Sequence, residues 1–277
     1  MTNPLIAAYR KPALFVTLPS SGKYYDTMPK LSVDGELAIY PMTARDELIY
    51  KTPDALFNGE ATHAVIASCA PDIKDPDTMP VNDLVVILLA IRQATYGKEL
   101  NIDIKCPECE ALNMMKIDAT ALLATATPID EADRIEWDNG FIINLKPYNL
   151  RDRTLLQIQQ VKQRKMLQAL TDENINEEDR TKLFGQTFVE LAELTVDLIS
   201  NSIRAVRPPE GEEITDDAMI KEWLQTITKD DYDSLKDKVE SLSKDTLDTD
   251  NLSAQCQECN HEWKTKVDLD VANFFVG

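Results

Sequence analysis

Two short cysteine turns constrain this chain more than any other feature: Cys106-Pro107-Glu108-Cys109 and Cys256-Gln257-Glu258-Cys259. A Cys-x-x-Cys turn placed after a strand presents two sulfurs on one side. Two such turns face to face complete the tetrahedral shell that zinc prefers, with each thiolate sulfur about 2.3 Å from the ion. The obstacle is separation along the chain. Residues 110 to 255 lie between the pairs, where a compact zinc module has roughly 15 to 20 residues.

An internal repeat removes that obstacle. Counted from the first cysteine of each pair, the flanks align without a gap. Glu108 matches Glu258, Lys116 matches Lys266, and Ile117-Asp118 matches Val267-Asp268; upstream, Asn101-Ile102 matches Asn251-Leu252. Each copy reads strand, knuckle, strand, which is half of a zinc ribbon. The expectation is one structural zinc held by Cys106, Cys109, Cys256 and Cys259, with the intervening helical region inserted between the two halves.

Rival uses of the cysteines fit less well. A redox pair wants a low-pKa thiol at a helix N-terminus, whereas these pairs follow strands. Catalytic zinc wants three ligands and an open position, and four cysteines close the shell without His261. The residue after each knuckle is Glu110 or Asn260. Glycine suits the left-handed backbone expected there; asparagine tolerates it and glutamate does so poorly. The fifth cysteine, Cys69, lies in an apolar helical stretch and reads as a small buried hydrophobe.

Charge narrows the function classes. Lys and Arg number 29 against 48 Asp and Glu, a formal charge of −19. Nucleic-acid binding rests on cations that neutralise phosphates, and docking on anionic lipid needs them too, so both are disfavoured. No apolar run approaches the 18 or so residues of a membrane span, and the start of the chain lacks a secretory pattern. In a reducing cytoplasm, paired cysteines point to metal rather than disulfides. Catalysis is not expected. There are two histidines, His63 and His261, with His63 read as a core residue, and no nucleophile, phosphate-loop or metalloprotease motif stands out.

The predicted class is α+β: a β-rich N-terminal part, a split zinc ribbon made of two CxxC hairpins, and a helical insertion between them. Residues 1–98 form an α+β region. Within it Thr43 caps a helix to Tyr50, a second helix covers Thr62 to Cys69, and Asn82 caps a strong helix from Asp83 to Tyr96 ended by Gly97. Residues 99–149 hold the first ribbon hairpin and a second hairpin around Asp138-Asn139-Gly140. Residues 150–247 are the helical insertion. One of its helices carries Phe184, Phe188, Leu191, Leu194, Leu198 and Ile199 and stops at Pro208-Pro209; another opens at Thr215 and bears Trp223. Arg151, Arg153, Lys162, Arg164 and Lys165 read as an exposed basic helix face. Residues 248–277 close the second ribbon hairpin on the first.

An ordered set of short motifs carries a resemblance. Pro19-Ser20-x-Gly22-Lys23-x-Tyr25 is followed by Pro41-Met42-Thr43-Ala44-x-Asp46-Glu47, then by Asp83, Leu88-Leu89-Ala90-Ile91-Arg92, Thr95-Tyr96-Gly97 and Cys106-Pro107-x-Cys109. Together with the Trp223 helix, Cys256-x-x-Cys259 and Phe274-Phe275, this resembles the baseplate hub protein family of T-even-type contractile-tailed bacteriophages. The resemblance implies a non-enzymatic structural or assembly component of the tail baseplate. Its expected partners are other phage baseplate or tail proteins, and its expected location is the virion after assembly in the host cytoplasm. An assembly chaperone absent from the mature virion is the alternative, and a nucleic-acid-binding zinc ribbon is a weaker one.

Overall fold

The computed structural model describes residues 9–51, 59–129, 133–171 and 177–267. The chain divides into two units, one of Met1–Ile129 with Asp245–Gly277 and one of Asp130–Lys244. Mixed helices and small antiparallel sheets make it α+β.

The first unit is organised around one helix. Strands β1 (Leu14–Thr17) and β2 (Glu36–Ile39) pair antiparallel, and helices α1 (Ala44–Tyr50) and α2 (Glu60–Cys69) follow. Helix α3 (Val81–Tyr96) is buried on every side from Val81 to Ile91. An all-round apolar sequence leaves a helix no solvent face, so it becomes the core against which the other elements pack. Its turns touch β1, β2, α2 and the short α4 (Ala119–Leu123). The helix starts earlier than expected. Pro80, in extended geometry, is its N-cap, and Asn82 lies inside the first turn, buried, with its carbonyl accepting from Thr246 Oγ1. Proline pre-sets the entry to the helix, so the asparagine is free to face the core. Gly97 ends the helix at φ 89°, a conformation glycine adopts without steric cost.

The family-like motifs meet one another here. Asp83, fully buried on α3, accepts from Ser20 N–H at 2.9 Å, from Ser20 Oγ, and from Tyr25 Oη at 2.8 Å. Ser20 Oγ in turn accepts from Gly22 N–H. Met42 N–H donates to Thr95 Oγ1 at 3.0 Å, and Tyr96 Oη to Glu47. Thr43 caps α1 in a reciprocal capping box with Asp46, whose carboxylate also accepts from Ser68 Oγ at 2.9 Å. Segments far apart in sequence are thereby tied to the two ends of α3.

Burial pushes the Asp83 carboxyl up to about 6, against the opposing pull of its Ser20 and Tyr25 donors. A carboxyl with a raised folded pKa favours folding fully below the unfolded value of about 4, and that contribution is lost as pH rises through about 6. The expected size is about 3 kcal/mol, from roughly two pKa units. Denaturant unfolding of the wild type and of Asp83→Asn between pH 4 and 7 should differ by this slope. Parallel curves for the two proteins would remove the effect.

The second unit contains a three-stranded antiparallel sheet, β5 (Arg134–Glu136), β6 (Ile142–Leu145) and β7 (Ile203–Arg207), in that order. Helices α5 (Leu150–Thr171), α6 (Glu177–Asn201), α7 (Asp217–Leu224) and α8 (Lys229–Leu242) complete it. Strand β7 corrects the expectation that helix α6 runs on to Pro208-Pro209. The helix ends at Asn201, where buried Ser202 turns its Oγ back to the Leu198 carbonyl. Ile203 and Val206, opposite Leu145 and Ile143, are buried, as is Ala205 between them. No glycine or proline marks that break, so helical periodicity alone passes through it. Likewise Asp216, not Thr215, caps α7, accepting from Met219 N–H at 2.9 Å. Of the expected apolar stripe on α6, Leu198 and Ile199 are core residues, while the side chains of Phe184 and Phe188 lie outside the described residues. Phe274-Phe275 lies outside them as well. Trp137, Phe141 and Trp223 cluster with ring centroids 5.6 to 6.1 Å apart. Of the basic residues on α5, Arg151, Lys162 and Arg164 are exposed, with Lys162 paired to Glu190; the Lys165 side chain is not described.

Candidate metal centre

Two hairpins with one geometry build the centre. The first joins β3 (Glu99–Lys105) to β4 (Leu112–Asp118), and the second joins β8 (Leu252–Gln255) to β9 (Glu262–Thr265). Their registers superpose with a constant shift of 150 residues (256 − 106). Ile102 faces Met115 where Leu252 faces Thr265, and Lys105 faces Leu112 where Gln255 faces Glu262. The repeat in the sequence is therefore a repeat in structure.

The knuckles match bond for bond. Cys106 N–H donates to the Ala111 carbonyl at 3.0 Å, and Cys256 N–H to that of His261 at 2.9 Å. Glu110 N–H returns to the Cys106 carbonyl and Asn260 N–H to that of Cys256, at 3.0 and 3.1 Å. Glu110 and Asn260 both take the left-handed conformation, at φ 58° and 56°. A side chain pays about 1 to 2 kcal/mol in that region, and glutamate has no local compensation of the kind asparagine has. Glu110→Gly is expected to raise stability by about 0.5 to 1 kcal/mol once glycine's greater unfolded-state entropy is deducted. Asn260→Gly should change little. Urea midpoints of the two variants would test the order, and equal shifts would overturn it.

All four expected sulfurs meet. Cys106, Cys109, Cys256 and Cys259 lie within 4.8 Å of one another, with Cys106 Sγ 3.7 Å from Cys259 Sγ and Cys109 Sγ 3.6 Å from Cys256 Sγ. Corners of a tetrahedron with 2.3 Å metal–sulfur bonds are about 3.8 Å apart, so the spacing fits an ion at the centre. The first cysteine of each pair is buried and the second exposed, again as two-fold copies. Among the described residues, this is the one cluster of three or more His, Cys, Asp or Glu side chains that could share an ion. His261 is not in it; its ring stacks on Trp263 with centroids 5.9 Å apart.

The local electrostatics are compatible with a bound cation. Backbone N–H groups of Cys259 and then Glu258 pull the Cys256 thiol down to about 6, against the opposing effect of burial. At Cys259 the N–H of His261 pulls the same way, yet desolvation and the three neighbouring thiols prevail and push it up to about 12. Four sulfurs this close repel once ionised, and a divalent ion removes that conflict by binding them as thiolates.

Asn113 is a contact that motif reading missed. It is buried on β4, donates to Cys256 Sγ at 3.5 Å and accepts from Gln257 N–H at 2.8 Å. No Cys-x-x-Cys pattern includes it, and its place in the repeat is taken by Trp263, so alignment of the two copies hides it. The remaining singled-out residues stay apart from the centre. Cys69 is fully buried on α2 and its thiol is pushed up to about 12, chiefly by burial. His63 departs from the expected core role. It is partly exposed on the surface of α2, with Nδ1 2.8 Å from Asp77, because a short amphipathic helix turns that position outward.

The centre draws its four sulfurs from two distant segments of one unit. A family described as T4 bacteriophage base plate protein matches residues 12–276, and the chain belongs to that family. It is accordingly a structural component of a phage baseplate, located in the virion tail. No curated protein and no solved structure matches the chain. No described helix is long and apolar enough to cross a membrane.

Proposed function

We propose that the chain is a non-enzymatic component of the baseplate hub whose first unit is clamped by one structural zinc on Cys106, Cys109, Cys256 and Cys259. The observation that carries the reading is the meeting of the four sulfurs, from two copies of one hairpin, at tetrahedral spacing. Zinc suits four thiolates in a closed shell with no redox demand. The clamp ties residues near 106 to residues near 256, and so closes the unit around α3. The formal charge of −19 favours neutral or basic faces on neighbouring tail proteins over nucleic acid.

Metal analysis of protein purified without chelator is the direct test, with thiols counted in the same sample. One zinc per chain and four thiols protected until chelation is the expected result. Four reactive thiols without metal would remove the clamp, and iron in place of zinc would overturn the identity of the ion. Mass spectrometry of purified virions separates a virion component from an assembly chaperone. The chain should be present; its absence would make it an assembly chaperone instead.

A further inference from the structure

The two hairpins are copies in backbone but differ in many side chains, and two of those differences bear on one interaction. Where the first knuckle has Pro107, the second has Gln257; where the first hairpin has Asn113, the second has Trp263. These differences fall on one interaction. Asn113 Oδ1 accepts the backbone N–H of Gln257 at 2.8 Å, and Asn113 Nδ2 donates both to Cys256 Sγ at 3.5 Å and to the Ala111 carbonyl at 2.9 Å. The two-fold-related bond would run from Trp263 to Pro107. Tryptophan offers no acceptor and proline no N–H, so that bond does not exist. A single buried amide therefore spans from the first hairpin to the second on one side of the centre only.

We infer that Asn113 is a positioning residue for the metal centre, acting through Cys256 and not on the ion itself; this rests on the metal reading above. Its N–H group takes up part of the charge on the Cys256 thiolate. Its carbonyl fixes the adjacent peptide and hence the direction in which that sulfur points. Partners that hold a ligand in place are typically worth about 10- to 100-fold in metal affinity. Asn113 also keys the first hairpin to the second hairpin of the same chain. In a pairing of two first hairpins from different chains, each Asn113 carbonyl would face a Pro107 that has no proton to give.

The test is competition for Zn²⁺ against a chromophoric chelator, together with the absorption spectrum of the Co²⁺-loaded full chain, for wild type, Asn113→Ala, Asn113→Asp and Gln257→Pro. Asn113→Ala should lose zinc at least tenfold more readily. Its sulfur-to-cobalt charge-transfer band should move to longer wavelength, because an N–H bond to sulfur lowers the energy of the donating electrons. Asn113→Asp preserves shape and the bond to Gln257 but replaces the donor with a negative charge, so it should lose zinc at least as readily as the alanine variant. Gln257→Pro copies the first knuckle, so its backbone is suited to fold; it should weaken zinc retention while leaving the cobalt band in place.

Wild type that binds zinc, with Asn113 variants matching it in retention and band position, would overturn this inference and leave the clamp intact. Wild type that binds no metal would overturn both. Far-ultraviolet circular dichroism identifies any variant that fails to fold, and Gln257→Pro then decides: unchanged zinc retention in it overturns the keyed pairing.

Discussion

Replacing Cys106 or Cys256 with serine is expected to release the metal and unfold the paired hairpins, a loss of several kcal/mol. In small peptides a structural four-ligand zinc supplies about 10 to 16 kcal/mol at neutral pH, while a whole domain has a net stability of about 5 to 15 kcal/mol. A zinc clamp would thus be comparable to everything else that holds the first unit. Cys106 and Cys256 are the buried members of their pairs, so serine there adds desolvation of a hydroxyl to the loss of a ligand. Serine at exposed Cys109 or Cys259 should cost less for that reason. Thermal melts of the four variants, with and without chelator, would read the order. A chelated wild type melting like the untreated protein would sink the clamp.

Removal of the Asp83 carboxylate should have the second largest effect. Asp83→Ala strands three donors at once: Ser20 N–H, Ser20 Oγ and Tyr25 Oη. A buried donor left without a partner costs about 1 to 3 kcal/mol, so the three together set an expected loss of at least about 3 kcal/mol. Truncation at a fully packed helix position adds a cavity to that cost. Asp83→Asn keeps the volume and one acceptor, and should lose far less at neutral pH. If the alanine and asparagine variants showed equal urea midpoints, the network would not be the source of stability.

Much of the centre is legible in the sequence because its parts are local. A Cys-x-x-Cys turn is four residues long, and the registers of its strands follow from alternation around it. The meeting of the four cysteines and both hairpins can be read this way even though residues 110 to 255 intervene. The capping box at Thr43 and Asp46, and the stop at Gly97, are likewise short-range. What escaped is long-range. Strand β7 depends on β6 for its identity, since Val206 pairs with Ile143 across the chain, and nothing in Ile203–Arg207 alone announces the pairing. The bonds from Ser20 and Tyr25 to Asp83 span about sixty residues, so their motifs can be seen without their reason. Asn113 escaped for a different cause: it acts where the repeat breaks, and a repeat is recognised by where it holds.

The division of the first unit into two stretches of chain also sets a schedule. Thr127 N–H bonds to the Thr246 carbonyl at 3.0 Å, and Asp248 N–H to Thr125 Oγ1 at 3.1 Å, so both stretches must exist before either is secured. Synthesis runs at about 5 to 20 residues per second. Residues 110 to 259 therefore take roughly 8 to 30 seconds to add after the first knuckle has been made. If the four sulfurs share an ion, Cys106 and Cys109 hold half a coordination shell for that interval. Free metal and a reducing environment during translation would then raise the fraction of chains that close.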